Sequence, residues 1–210
     1  MQFKNRLEAA KKLAQALLKY KNQDVVLYSL PRGGIVLGVE IARQLKAPLD
    51  LIIPRKIGHP SSAEYAICAL AEGGSLVCNE AERKIINQDW LKKEVKKEQQ
   101  EAIRRSKVYL AEKKRLSATN KVAIIVDDGI ATGLTIKAAI LDIKKQKPKK
   151  IVIAVPVLPK DTAADLRKNV DELISLEEPW FFKGAIGSYY QEFGQVSDEE
   201  VIALLNDFKS

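Results

Sequence analysis

The sequence has a single histidine, His59, and only two cysteines, Cys68 and Cys78. A histidine-based metal site needs more than one such side chain, so this class of site is not expected. The cysteines have neither metal nor redox spacing, and a reduced, cytoplasmic protein is the natural expectation. No charged-then-apolar leader opens the chain, and no apolar run approaches the roughly 18 residues that span a bilayer. We therefore expect no membrane partner.

The common nucleotide-binding signatures are also missing. Neither GxGxxG nor GxxxxGK[ST] occurs, which argues against a Rossmann or P-loop protein. The formal net charge of +8 raises the question of nucleic acid, yet residues 83–115 alone carry twelve basic against five acidic side chains, a net of +7. No aromatic ribonucleoprotein string, helix-turn-helix pattern or Cys/His finger accompanies this segment. Nucleic acid is therefore not an expected partner, and residues 87–115 are predicted to form a long, solvated basic helix.

What the chain does contain is the string KVAIIVDDGIATGLT at residues 121–135. Its apolar run, 122–126, is typical of a strand buried on both faces of a parallel sheet. Two carboxylates follow, Asp127 and Asp128, whose repulsion costs free energy unless hydroxyls, a cation or water satisfy them. Small residues then lead into a pattern with helical spacing, so the loop opens a helix N-terminus, where an anion is favoured. A Thr-capped helix after a buried strand would explain either half alone; together they indicate a site for a phosphorylated polyol.

The whole string resembles the phosphoribosyl pyrophosphate (PRPP) motif of the type I phosphoribosyltransferases. The resemblance implies that Asp127 and Asp128 hold the ribose 2′ and 3′ hydroxyls. It also implies that the 5′-phosphate is wrapped by the loop that follows. The implied loop residues are Gly129, Ile130, Ala131, Thr132, Gly133, Leu134 and Thr135.

A second strand and glycine loop, ending in Pro31, Arg32, Gly33 and Gly34, resembles the pyrophosphate loop of the same family. Arg32 suits this task because its planar fork makes two charge-assisted bonds to phosphate oxygens. The resemblance predicts a cis peptide bond between Pro31 and Arg32. Arg55 and Lys56 leave the adjacent strand and can reach the same anion.

The family also implies a layout for the rest of the chain. We expect an α/β fold with a parallel central sheet flanked by helices, in a core of residues 1–176. A mobile loop and hairpin are expected at about 56–80, with His59 on the loop. Residues 177–210 are expected to form a C-terminal hood over the acceptor, with Trp180, Phe181 and Phe182 as candidate stacking residues. The amphipathic helix at residues 3–20 is expected to cover the sheet without a chemical role.

The implied function is transfer of the phosphoribosyl group from PRPP to a nitrogen nucleophile, with release of pyrophosphate, as in nucleotide salvage. Asp127, Asp128 and Arg32 would be the catalytic residues. Mg²⁺ would be held mainly through substrate, with Asp127 or Asp128 contacting it through water. Ala131 stands where hypoxanthine-guanine enzymes carry an Asp, so a 6-oxopurine is the less favoured acceptor. The alternative is a PRPP-sensing regulatory protein that binds nucleic acid or a protein partner without turnover. A homodimer is the family expectation.

Overall fold

The structure, a computed structural model, describes residues 2–111 and 114–208. Its strands, in chain order, are β1 (Val25–Ser29), β2 (Leu49–Leu51), β3 (Arg55–His59), β4 (Ser62–Leu70), β5 (Leu76–Cys78), β6 (Val122–Val126), β7 (Lys150–Val157) and β8 (Glu172–Glu177). Its α-helices are α1 (Arg6–Ala16), α2 (Gly34–Leu45), α3 (Glu80–Ile85), α4 (Gln88–Leu110), α5 (Leu134–Lys145), α6 (Lys160–Leu166) and α7 (Asp198–Asp207). Short 3-10 turns lie at Leu18–Tyr20 and Ile186–Tyr189.

Five strands form a parallel central sheet in the order β2, β1, β6, β7, β8. Successive residues along a strand face opposite sides of a sheet. Ile125 accordingly belongs to a core cluster with Ile140 of α5, whereas Ile124 belongs to one with Leu13 of α1 and Ile41 of α2. The predicted parallel sheet flanked by helices is therefore confirmed. Its strands overlap the apolar runs at 24–30, 48–54, 122–126, 149–155 and 171–176.

Strands β3, β4 and β5 form a separate antiparallel sheet. The hairpin of β4 and β5 agrees with the prediction, but the segment expected to be a mobile loop is instead strand β3. The physical reason is Ile57, which is buried and packs with Ile67 and Leu70 of β4. Pro60 and Ser61 are confined to the turn that follows β3.

Cys68 and Cys78 are direct partners in the register of β4 and β5, and they form a disulfide with a Cα–Cα distance of 3.9 Å. The expectation of two reduced thiols is therefore corrected. Their ten-residue spacing carries no recognised motif, and only the antiparallel register brings the two side chains together. The bond ties the third strand of this sheet to the second.

Helix α4 is the long basic helix, which ends at Leu110, earlier than predicted; residues 112–113 lie outside the described residues. Glu101 accepts hydrogen bonds from Arg104 and Arg105, as its spacing predicts, and these bonds lower its pKa to about 2. Much of the helix is solvated, but Tyr109 is buried in a cluster with residues of α7. No helix among the described residues is both long and apolar enough to cross a membrane.

The two ends of the described chain meet. Phe3 forms a parallel bridge with Tyr190, and both belong to one buried cluster with Tyr189. Helix α7 begins with a capping box, in which Ser197 and Glu200 bond reciprocally to each other's backbone N–H. This packing brings α1 and the C-terminal segment together beside the carboxyl ends of the central strands.

Candidate active site

One cavity of about 450 Å³ opens at the carboxyl ends of β1, β2 and β6. It is lined by residues 31–33 after β1, 54–56 after β2, and 127–133 after β6. Ligands of α/β sheets bind in crevices of this kind, outside the carboxyl ends of the strands. The fold therefore brings together three segments that are distant in the sequence and that were each predicted to contact one ligand.

The acidic pair after β6 is partly buried at one side of this cavity. Oδ1 of Asp127 accepts a hydrogen bond from the backbone N–H of Asp128 at 2.8 Å. Burial raises the pKa of Asp127 well above its ordinary value, and the neighbouring charge of Asp128 raises it further. The protonated form of Asp127 is therefore favoured more than that of a carboxyl group in water.

Arg6, the first residue of α1, was not among the predicted site residues, yet it lines the cavity. Its Nε donates to Oδ2 of Asp128 at 2.7 Å, and its Nη1 donates to the carbonyl oxygen of Gly194 at 2.7 Å. The guanidinium carbon lies 3.8 Å from the centre of the Phe193 ring. The only sequence signal was an arginine in a helix whose other basic residues are all lysines, consistent with the preference for arginine in buried ion pairs.

The loop after β1 packs directly against the acidic pair. The bond between Pro31 and Arg32 is cis, as predicted. A Cβ at Gly33 would lie 1.8 Å from Oδ2 of Asp128, and one at Gly34 would lie 3.0 Å from the Cα of Asp127. Only glycine lets these two loops approach so closely, so the loop sequence and the position of the acidic pair depend on each other.

Both arginines of the predicted pyrophosphate site have carboxylate partners from neighbouring helices. Arg32 lies 3.5 Å from Asp198 of α7, and Arg55 lies 2.7 Å from Glu98 of α4. Asp198 also accepts a 2.6 Å hydrogen bond from the hydroxyl of Tyr109, and this bond lowers the pKa of Asp198. These pairs hold the two guanidinium groups at the rim of the cavity.

The loop after β6 ends at the N-terminus of α5. Gly133 has φ of 78°, a conformation that glycine adopts without strain, and it caps the helix. Ile130 is buried and its N–H donates to the carbonyl of Val157 at 3.0 Å, which anchors the loop. The first amides of a helix have no intrahelical acceptor, so this end of α5 offers donors and positive charge to an anion.

The family model for the phosphoribosyl transferase domain matches residues 2–192. The chain belongs to this family. This chain is 37% identical over 206 residues to two Mycobacterium tuberculosis proteins, Rv0571c and MT0597, which carry provisional phosphoribosyl transferase names. The match covers 97% of this chain and 46% of each relative, so the chain spans about half the length of the curated relatives it matches.

Among solved structures, TT1426 from Thermus thermophilus is 34% identical to the phosphoribosyl transferase domain. The superposition has a TM-score of 0.82 and covers 99% of both chains. This likeness agrees with the predicted parallel central sheet flanked by helices. The family assignment also agrees with the predicted class of enzyme, a pentosyltransferase.

A second cavity shares Ala131 and Thr132 with the first. Two of the predicted acceptor residues, Trp180 and Phe182, line it. Nζ of Lys160 lies 3.3 Å from the centre of the Trp180 ring, a cation–π contact. The loop after β6 therefore lines both the cavity that contains the acidic pair and the cavity that contains Trp180 and Phe182.

Several predicted residues lie outside both cavities. Gly34 and Leu134 are buried behind the loops. Phe181 is 93% exposed and lines neither cavity. His59 is the last residue of β3, and its Nδ1 is 2.6 Å from the hydroxyl of Ser61 in the turn that follows. In contrast, Ile186 and Phe193 of the C-terminal segment do line the first cavity.

The carboxylates of the first cavity suit a metal ion that is held partly by the substrate. In residues 2–111 and 114–208, no group of three His, Cys, Asp or Glu side chains is placed to hold an ion. The cavity offers two carboxylates, one of them bonded to Arg6. Mg²⁺ keeps waters and substrate oxygens as ligands, so a site with one or two carboxylates fits it.

Proposed function

We propose that this chain is a Mg²⁺-dependent phosphoribosyltransferase, which transfers the phosphoribosyl group of PRPP to a nitrogen nucleophile. The observation that carries the proposal is that the acidic pair, the helix-terminal loop and the loop of residues 31–33 meet at one cavity. Each suits a different part of PRPP. Carboxylates accept hydrogen bonds from ribose hydroxyls, whereas helix-terminal amides and arginines bind phosphates.

In the proposed complex the 5′-phosphate lies at residues 129–135, against the N-terminus of α5. The ribose hydroxyls contact Asp127 and Asp128. The pyrophosphate lies at the other side, within reach of Arg32, Arg55 and Lys56, all of which line the cavity. PRPP then spans the cavity with its C1 atom between the two loops.

The reaction breaks the bond between C1 and the pyrophosphate oxygen and forms a bond between C1 and the acceptor nitrogen, whose proton is lost to solvent or a base. The transition state resembles an oxocarbenium ion, with negative charge growing on pyrophosphate. Arg32 and nearby backbone amides stabilise that charge, and the loops orient the reactants. When bound, Mg²⁺ would add positive charge at the pyrophosphate oxygens, and Asp127 or Asp128 would contact it through water.

For the acceptor we propose a nucleobase held in the second cavity, with residues 177–210 acting as the hood. Trp180 and Phe182 offer aromatic faces, and Lys160 offers a donor beside them. Ala131, at the boundary of the two cavities, has no side chain that exchanges a proton with a purine. This supports an acceptor other than a 6-oxopurine.

The test is the Asp128→Asn variant, assayed for PRPP binding by calorimetry and for pyrophosphate release with a panel of bases. Loss of one charge-assisted contact, worth about 1.5 to 3 kcal/mol, predicts a decrease of roughly tenfold or more in affinity or turnover. Asp24→Asn is the matched control, because the Asp24 side chain is exposed and pairs with Lys121 at the surface, away from the cavity. Unchanged binding and turnover in Asp128→Asn would refute the assigned site.

A further inference from the structure

The contact between Arg6 and Asp128 is a partly buried ion pair inside the proposed PRPP site. The two side chains are 12% and 15% exposed, and their nitrogen and oxygen lie 2.7 Å apart. Exposed ion pairs contribute little, but a pair removed from water is held firmly, since losing one partner leaves a buried charge. Arg6 is therefore an integral part of the site.

Four residues from three segments of the chain hold Arg6 in this place. The side chain of Asn5 caps α1 by accepting a hydrogen bond from the N–H of Glu8. This cap fixes the start of the helix at Arg6. Phe193 stacks on the guanidinium, and the carbonyl of Gly194 accepts from Nη1. Gly33 leaves the space that the pair occupies, because a Cβ there would lie 3.0 Å from Nε of Arg6. The arrangement places one fixed positive charge at the acidic pair.

We propose that Arg6 is a positioning residue for the acidic pair, which holds Asp128 in place and keeps divalent cations away from it until PRPP is bound. The inference rests on the proposed PRPP site. Oδ2 of Asp128 is already bonded to a guanidinium, and a divalent ion approaching the same carboxylate would be repelled by that charge. PRPP brings its own anionic oxygens, which offset the repulsion and complete the coordination of the ion.

The experiment measures binding of Mn²⁺ alone, a paramagnetic substitute for Mg²⁺, by electron paramagnetic resonance of the free ion. Wild-type protein is expected to bind Mn²⁺ at this site only when PRPP is present. Arg6→Gln is expected to bind Mn²⁺ without PRPP at least tenfold more tightly than wild type. Arg6→Lys keeps the charge and should stay close to wild type. Lys12→Gln, on the same helix but paired with Glu8 at the surface, is the matched control.

The double variant Arg6→Gln/Asp128→Asn locates the effect, because the gain in Mn²⁺ affinity should disappear when the carboxylate is removed. Equal Mn²⁺ binding by wild type and Arg6→Gln would overturn the inference, as would a gain that persists in the double variant. If Arg6→Gln does not fold, Mn²⁺ binding by wild type and by Asp128→Asn still tests the proposal. Tight Mn²⁺ binding without PRPP that is lost in Asp128→Asn contradicts the proposal, and Mn²⁺ binding only with PRPP supports it.

The outcome can be separated from that of the proposed function. If wild type binds PRPP with Mg²⁺ but Arg6→Gln gains no Mn²⁺ affinity, only the role of Arg6 is wrong. If wild type binds no PRPP at any Mg²⁺ concentration, the proposed function is wrong, whatever the Mn²⁺ titration gives.

Discussion

Gly33→Ala is expected to displace Asp128 and weaken PRPP binding. Gly33 has φ of −61° and ψ of −37°, which alanine adopts freely, so the backbone contributes no strain. The added Cβ would lie 1.8 Å from Oδ2 and 2.6 Å from Cγ of Asp128. Relief of this overlap requires a shift of the carboxylate of about 1.5 Å, since non-bonded carbon and oxygen atoms stay roughly 3.3 Å apart. The 2.7 Å bond to Arg6 cannot survive such a shift.

The size of the effect follows from that lost bond. A charge-assisted hydrogen bond contributes about 1.5 to 3 kcal/mol, which predicts a decrease of roughly 10- to 150-fold in PRPP affinity. The free energy of unfolding changes less, because alanine restricts the unfolded chain by about 0.4 to 1 kcal/mol. The net loss of stability is then about 0.5 to 2.6 kcal/mol, or roughly 1 to 10 °C in Tm for a chain of this size.

Calorimetry with PRPP and Mg²⁺ measures the affinity, and thermal denaturation measures the stability. Gly194→Ala adds the same methyl group where nothing lies within 4 Å, and its Tm should match that of wild type. In an Asp128→Ala background the Gly33→Ala change should have a much smaller effect, because its clash partner is gone. A Gly33→Ala protein that binds PRPP and melts like wild type would refute the assigned packing of the two loops.

Two further predictions concern stability. The pKa of Asp127 is higher in the folded chain than in the unfolded chain, so the free energy of unfolding falls as pH rises above the unfolded value of about 3.9 and through the folded pKa. Asp127→Asn removes this loss, and its Tm relative to wild type should increase from pH 5 to pH 8; parallel pH profiles would contradict the assignment. Removing the Cys68–Cys78 bond with Cys68→Ala/Cys78→Ala opens a ten-residue loop and should cost about 2.7 kcal/mol, or roughly 5 to 11 °C in Tm. Reductant should lower the Tm of wild type and leave that of the variant unchanged.

The parts of the site that could be predicted from sequence are those whose functional residues are neighbours along the chain. The acidic pair, Gly133 and the loop between them form one string. The same is true of Pro31, Arg32 and Gly33, where even the cis bond was anticipated. The buried parallel strands could also be predicted, because recognising a continuous apolar run requires no knowledge of distant residues.

What could not be predicted depends on contacts between distant residues. Arg6 and Asp128 are 122 positions apart, and Arg55 and Glu98 are 43 apart. The one local signal, an arginine in a helix whose other basic residues are lysines, does not by itself distinguish Arg6 from a helix residue facing solvent. Strand β3 was interpreted as a loop because its partner, β4, determines the pairing, and the disulfide depends on the register of two strands.

Each arginine of the first cavity already has a carboxylate partner: Arg6 with Asp128, Arg32 with Asp198, and Arg55 with Glu98. A phosphate that binds in the cavity therefore replaces a carboxylate as the partner of an arginine, and it does not neutralise an unpaired positive charge. Such an exchange changes the local charge balance little, so affinity should depend on salt less than the net charge of +8 suggests. If PRPP binds as proposed, its phosphates also separate Glu98 of α4 from Arg55 and Asp198 of α7 from Arg32, so that two neighbouring helices respond when the cavity fills.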